Sequence, residues 1–184
     1  MLSHYSADIF SSVILGKLGI KEKEFVLVTA HRAENVDDVD SLSNIVQAIN
    51  KISEQFKVIV SVHPRTKDKL NKYDLKVADN VILSSPFGFF DFVKLEDAAK
   101  IVISDSGTVQ EECCILGTPS ITIRRSTERQ ETIECGSNVL SGTNSDAILD
   151  AFNIMIKRDN TWDIPADYLV NNVSDIVINI LLGR

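Results

Sequence analysis

An α/β domain built on a parallel sheet is the fold this sequence predicts, and three observations predict it. Short, almost wholly apolar runs recur along the chain, as strands buried on both faces do. Segments with apolar residues at helical spacing separate them. The 184 residues, 44% apolar and 24% charged, have the composition of one globular domain with at most a small appendage. A chain of this length buries roughly 70% of the surface its unfolded form exposes, so it needs no disulfide or metal staple.

The elements follow in order. Leu2 to Leu18 carries a helical pattern. Phe25 to Thr29 (FVLVT) is a continuous apolar strand. Asp38 to Ile52 places Val39, Leu42, Ile45, Val46, Ile49 and Ile52 at helical spacing. Lys57 to Val62 is the second strand, and Thr66 to Tyr73 a short polar helix. Asn80 to Leu83 is a strand and Phe89 to Ala99 a helix. Lys100 to Ser104 is a strand and Gly107 to Leu116 a helix. Ser120 to Ile123 is a strand and Glu128 to Cys135 a short helix, with Thr127 and Gln130 in a capping-box pattern. Val139 and Leu140 form a last β segment before a helix from Ser145 to Ile156. A polar stretch with one proline, KRDNTWDIPAD, reads as a linker to a terminal helix, Tyr168 to Leu182.

Charge and cysteine content exclude several functions. Lys plus Arg is 19 and Asp plus Glu is 26, a net charge of −7. Such a chain repels a polyanion on average, so no nucleic acid is expected as a partner, while a local anion site stays open. No run approaches the ~20 apolar residues of a membrane span. The opening MLSHYSADIF lacks the basic and apolar regions of a signal peptide. The expected setting is the cytoplasm. Cys113, Cys114 and Cys135 fit neither a disulfide framework nor a zinc site and read as reduced core thiols. No metal is expected.

Parallel sheets bind ligands at the carboxyl ends of their strands, near a topological switch point. The residues there are distinctive. His31 and Arg32 follow the first strand, and His63 and Arg65 the second. Each alone is more often structural than functional. Two of only three histidines at this one edge, among basic residues in an acidic protein, favour a functional reading. The turn Ser104-Asp105-Ser106-Gly107-Thr108 runs from an apolar strand into a helix. Ser106 can cap that helix, Gly107 lets a ligand approach the backbone, and the helix N-terminus favours an anion. A plain capped turn would look the same. It is neither a Walker loop nor a dinucleotide Gly-x-Gly-x-x-Gly. Glu111 and Glu112 either complement the helix dipole or accept from sugar hydroxyls. Phe87, Phe89 and Phe90 are read first as core residues, and second as support for a base.

Four stretches, VTAHRAEN (28–35), SVHPRT (61–66), SDSGTVQEE (104–112) and TERQET (127–132), give the chain a specific likeness. It resembles the carboxyl-terminal half of the non-hydrolysing UDP-N-acetylglucosamine 2-epimerases. FFDFVKLE (89–96) and EECCILGTP (111–119) look closest to the capsule-sugar branch that makes UDP-N-acetyl-L-fucosamine. The resemblance implies a Rossmann-like domain with helices on both faces, one half of a glycosyltransferase-B-like fold with UDP-sugar in the cleft between halves. It implies that His31 sits by the diphosphate and reacting sugar as the catalytic residue. Ser106, Gly107 and Thr108 would hold phosphate, Glu112 the ribose hydroxyls, and the turn before Phe89 the uracil. Arg32 and His63 would lie near a second, regulatory UDP-sugar, and Glu128 and Arg129 would support the same wall. No cofactor is implied, because the reaction eliminates UDP and adds it back without a hydride carrier.

The expected partition is 1–20 as interdomain helix, 21–157 as the nucleotide-sugar domain, and 158–184 as linker and terminal helix. The amino-terminal half, which carries the family's acid–base carboxylates, is absent from the sequence. The isolated chain is therefore expected to be inactive, and the complete enzyme to be a homodimer. Two departures stand out. The Asn-Pro-Tyr-Gly-Asp-Gly-type stretch is replaced by DNTWDIPADYL, and Gln130 stands where proline is common. The rival readings are half of a UDP-sugar transferase of the same fold and a non-catalytic UDP-sugar sensor.

Overall fold

A computed structural model describes residues 1–159 and 161–183; Asn160, inside the expected linker, and Arg184 lie outside the described residues. In chain order the elements are α1 (Ser6–Ser11), α2 (Ile14–Leu18), β1 (Phe25–Thr29), α3 (Ala33–Val36), α4 (Val39–Ser53), β2 (Lys57–Ser61), α5 (Pro64–Lys72), β3 (Val81–Ser84), α6 (Phe89–Ala98), β4 (Ile101–Ser104), α7 (Gly107–Leu116), β5 (Ser120–Thr122), α8 (Gln130–Glu134), β6 (Asn138–Leu140) and α9 (Ser145–Met155). A 3₁₀ turn (Ala166–Leu169) and α10 (Val173–Leu182) follow.

The strands form one six-stranded sheet in the order β3-β2-β1-β4-β5-β6, and every neighbouring pair is parallel. Strand alternation explains its two covered faces. Val26 and Val28 of β1 point to the layer of α4 and α9, where they meet Ile45, Ile49, Ile148 and Phe152. Phe25 and Leu27 point to the other layer, packing with Ile14, Leu95 of α6, and Val109 and Cys113 of α7. All four β1 side chains are fully buried. Each large one contributes about 1.5–3 kcal/mol of hydrophobic stabilisation.

The chain runs outward from β1 to β3 and returns to β4 beside β1, so the strand order reverses between these two. Register pairs Thr29 with Ser104. The residues that follow, His31 on one side and Asp105 to Thr108 on the other, therefore meet over the switch point, where such sheets bind ligands.

Several expectations are corrected. The Leu2–Leu18 helix is broken: Ser12 is extended (ψ 129°), its hydroxyl donates to Asp91 (2.5 Å), and its Oγ accepts from the Ile14 N–H (3.2 Å). A hydroxyl that serves both its own backbone and α6 competes with continued helix. The helix expected from Glu128 starts at Gln130, and the capping box does not form. Thr127 Oγ1 accepts from the Arg129 N–H (3.1 Å) and donates to Gln110 (2.7 Å), while the Glu128 carboxylate is taken by Arg124. The terminal helix starts at Val173; Tyr168 lies in the 3₁₀ turn and its hydroxyl donates to Glu131 (2.6 Å). The stretch read as linker is pinned to the domain, with Trp162 Nε1 donating to the Cys114 carbonyl (3.0 Å). Phe89 and Phe90 are not core residues: they are 37% and 40% exposed and cluster with Tyr5. Only Phe87 packs against the core. Cys113 and Cys114 are buried free thiols, and Cys135 is half-buried. No helix among the described residues is long and apolar enough to cross a membrane.

Candidate functional site

The site begins where β1 and β4 end. Asp105, fully buried, organises the loop after β1. Its Oδ2 accepts from the backbone N–H groups of His31 and Arg32 (2.9 Å each) and from Asn35 Nδ2 (3.1 Å). Asn35 is itself buried and donates to the Ile123 carbonyl (2.9 Å), tying this loop to the end of β5. Asp105 Oδ1 lies 3.2 Å from His31 Nδ1. Burial raises the Asp105 carboxyl, but the His31 imidazole and the N–H donors of Arg32 and His31 outweigh it and hold the group below its ordinary range. The Asp105 carboxylate at this distance raises the His31 imidazole above its ordinary 6.5, against partial burial and the nearby Arg32 charge.

The phosphate-type turn lies next to this pair. Ser106 occupies the N-cap position of α7, yet its side chain makes no capping bond, contrary to expectation. Ser104 Oγ takes the Ser106 N–H instead (3.0 Å), so the neighbouring serine performs the local backbone work. Thr108 is exposed and Gly107 buried. Arg129 arches over this turn. Its guanidinium carbon stands 3.6 Å from where a Cβ on Gly107 would be, and its Nε is bound by Glu111. An arginine beside a helix N-terminus and an exposed histidine are groups of the kind that attract an anion.

The other expected residues are placed as follows. His63 caps α5, with Nδ1 accepting from the Arg65 N–H (3.2 Å), and its ring centroid lies 6.1 Å from that of His31. Arg32 is the residue just before α3 and half-buried. Glu112 sits about 9 Å along the helix axis from Ser106, beside the fully buried Glu96 of α6. Burial raises both carboxyls, and the charge of Glu112 pushes Glu96 further, well above the ordinary glutamate range. Glu128 grips the buried Arg124 through two 3.0 Å bonds, and this holds its carboxyl down to about 2. Phe89 opens α6 after Gly88, exposed. Among the described residues no cluster of three His, Cys, Asp or Glu is arranged to hold a metal ion.

Sequence reasoning named the Ser104–Thr108 turn, and noted Asn35 and Arg124 among the residues that follow strands, but gave no separate role to Asp105, Asn35, Arg124 or Gln110. The signal available was polarity next to buried strands: Asn35 and Asp105 each lie within a few residues of a fully apolar run and must find partners there.

The matching family settles what kind of protein carries this site. Residues 2–182 match the UDP-N-acetylglucosamine 2-epimerase family. The chain belongs to that family. A UDP-N-acetylglucosamine 2-epimerase of Methanococcus maripaludis is 39% identical over 170 residues, which is 89% of this chain and 46% of the relative. A UDP-2,3-diacetamido-2,3-dideoxy-D-glucuronate 2-epimerase of Pseudomonas aeruginosa is 36% identical over 148 residues, 79% of this chain and 41% of the relative. Among solved structures, the Methanocaldococcus jannaschii UDP-GlcNAc 2-epimerase in complex with UDP-GlcNAc and UDP superposes with a TM-score of 0.83 at 34% identity, covering 97% of this chain and 51% of that one. The chain thus spans about half the length of the relatives it matches, and its sheet is one half of the glycosyltransferase-B-like architecture.

Proposed function

We propose that this chain is the UDP-gripping half of a UDP-2-acetamido-sugar 2-epimerase, with UDP-N-acetylglucosamine as the first substrate to test. One observation carries the reading. His31, the start of α7 and the Arg129 guanidinium converge over the switch point of a family member's sheet. In this reading the diphosphate lies on the Ser106-Gly107-Thr108 turn under Arg129. Arg32 and His63 lie near a second, regulatory UDP-sugar, and Glu112 serves the ribose. The exposed Phe89 and Phe90 border the base. Glu128 acts at a distance, fixing Arg124 below the wall.

The chemistry needs a base to take the proton from carbon 2 while the bond from carbon 1 to UDP breaks, then re-addition of UDP with a proton delivered to the other face of carbon 2. Residues here stabilise the departing UDP. His31 can hold or donate a proton near neutral pH, since its imidazole is raised above 6.5. The remaining acid–base carboxylates are proposed to lie in the half of the family's fold that this chain does not cover, so residues 1–184 alone are expected to bind without turnover. The partition proposed is 1–20 interdomain helix, 21–157 nucleotide-sugar domain and 158–184 terminal segment. The complete enzyme is proposed to be a cytoplasmic homodimer. The sugar is kept at the class level because relatives at similar identity are named for different UDP-sugars. FFDFVKLE (89–96) and EECCILGTP (111–119) point to a capsule-sugar substrate.

The test is a UDP titration of labelled residues 1–184, followed by an epimerase assay after joining the chain to an amino-terminal half. Shifts at 31, 104–108 and 129, with a Kd near millimolar (about −4 kcal/mol), and activity only in the joined protein support the reading. Shifts elsewhere overturn it.

A further inference from the structure

The two histidines at the sheet edge are held by different partners at the same ring atom. His31 Nδ1 faces the buried Asp105 carboxylate at 3.2 Å, an acceptor that takes only a donated proton. His63 Nδ1 accepts from the Arg65 backbone N–H at 3.2 Å, so it cannot itself carry a proton while that bond stands. The rings lie 6.1 Å apart, tilted by 39°.

We propose that Asp105 is a positioning residue which fixes neutral His31 as the Nδ1–H tautomer, and that the neighbouring His63 is fixed as the opposite, Nε2–H tautomer. The site then presents a paired acceptor and donor: His31 Nε2 as a base, His63 Nε2–H as a proton donor to an anion. Asp105 is suited to the role because its other oxygen is already locked by three donors, the N–H groups of His31 and Arg32 and the Asn35 amide. The carboxylate therefore cannot swing away from the imidazole, and backbone and ring of His31 are oriented by one group. The charged and titratable groups around His31 are Asp105 and Arg32, with His63 across from it. In the proposed function this makes His31 the proton acceptor or donor toward the sugar or departing UDP, a role that rests on that reading. The tautomer assignment itself does not.

The test is a long-range ¹H–¹⁵N spectrum of the imidazoles in residues 1–184, without ligand, at a pH where both rings are neutral. His31 is expected to show a protonated Nδ1 and an unprotonated Nε2, and His63 the reverse. In Asp105→Asn, His31 should lose its tautomer preference and its midpoint should fall toward 6.5, while His63 keeps its pattern. An unprotonated Nδ1 on His31 in the parent chain overturns the proposal whether or not the variant folds. A folded Asp105→Asn with an unchanged His31 tautomer and midpoint overturns it too. A UDP titration that fails leaves this result standing, so the two readings fall separately.

Discussion

Replacing Gly107 by alanine separates a glycine required by the fold from a glycine required by a ligand. Gly107 is the first residue of α7 and is not among the positive-φ glycines, which are Gly19, Gly117, Gly136 and Gly142. The atoms nearest a Cβ built on it belong to the Arg129 guanidinium, at 3.6 to 3.9 Å, which is ordinary contact with the end of a flexible side chain. Nothing in the fold therefore demands glycine here. In a helix interior glycine costs about 0.5–1 kcal/mol relative to alanine, and at the first turn the lower end applies. Gly107→Ala should leave stability unchanged or raise it by up to about 0.5 kcal/mol, a rise of roughly 1–2 °C in Tm for a chain of this size.

The consequence for binding is the opposite. The new methyl group stands under Arg129, in the volume that the proposed phosphate would enter to reach the N–H groups at the start of α7. UDP affinity should fall at least about tenfold, or 1.4 kcal/mol. Thermal melts followed by circular dichroism and a UDP titration of the same sample read both quantities. A variant that binds UDP as well as the parent refutes close backbone approach as the basis of the site. A variant that melts several degrees lower shows that the glycine serves the fold, and the ligand argument from it is lost.

Three further outcomes are expected. His31 titrates above 6.5 and Asp105 below 3.8 in the folded chain. The stability due to the histidine is thus complete below 6.5 and lost as pH rises through the raised midpoint, while that due to Asp105 is present above 3.8 and lost on acidification. Denaturant melts across pH check this, and His31→Ala should flatten the alkaline side of the profile. Glu96 is raised well above 4.5 by burial, so the folded state holds its proton longer and stability falls as pH climbs past 4.5. Glu96→Gln should melt at neutral pH no lower than the parent and lose less stability toward alkaline pH; a lower melting temperature contradicts this. Ile180 and Leu181 of α10 are 74% and 77% exposed, a sign of a face built for burial. Sedimentation velocity should show concentration-dependent association that weakens when both become serine, and a parent chain that stays monomeric at every concentration rules it out.

Fold class was legible because burial on both faces leaves runs such as FVLVT and KIVIS that no exposed segment would carry. Boundaries were less legible wherever a polar side chain decided them. Ser12 breaks a segment whose apolar spacing alone reads as one helix, because its partner Asp91 is 79 residues away. The α8 start moved from Glu128 to Gln130 for the same reason: Thr127 and Glu128 are claimed by Gln110 and Arg124, so the local capping pattern never assembles. Phe89 and Phe90 were assigned to the core on hydrophobicity, but the turn after β3 leaves them on the surface against Tyr5. Each miss is a tertiary partner overriding a local rule.

The helix N-termini bear on the proposal that the α7 turn takes an anion. Helices α1, α3, α4, α6, α8, α9 and α10 each carry an acidic residue in the first turn, Asp8, Glu34, Asp40, Asp91, Glu131, Asp146 and Asp175. Their dipoles are answered from within. Helices α2 and α5 have none; α2 is only five residues long, and the first turn of α5 holds Pro64 and Arg65. Helix α7 also has none, and the acid nearest its start, Asp105, spends its oxygens on His31, Arg32 and Asn35. An arginine stands over the same turn. Glu111 of the same helix already pairs with that arginine; in the proposed function a bound diphosphate would supply the negative charge that the first turn of α7 lacks. The sequence disclosed the turn. What it withheld was that Asp105 bonds the loop after β1 and makes no hydrogen bond to the α7 N–H groups, and that follows only from seeing which donors the carboxylate meets.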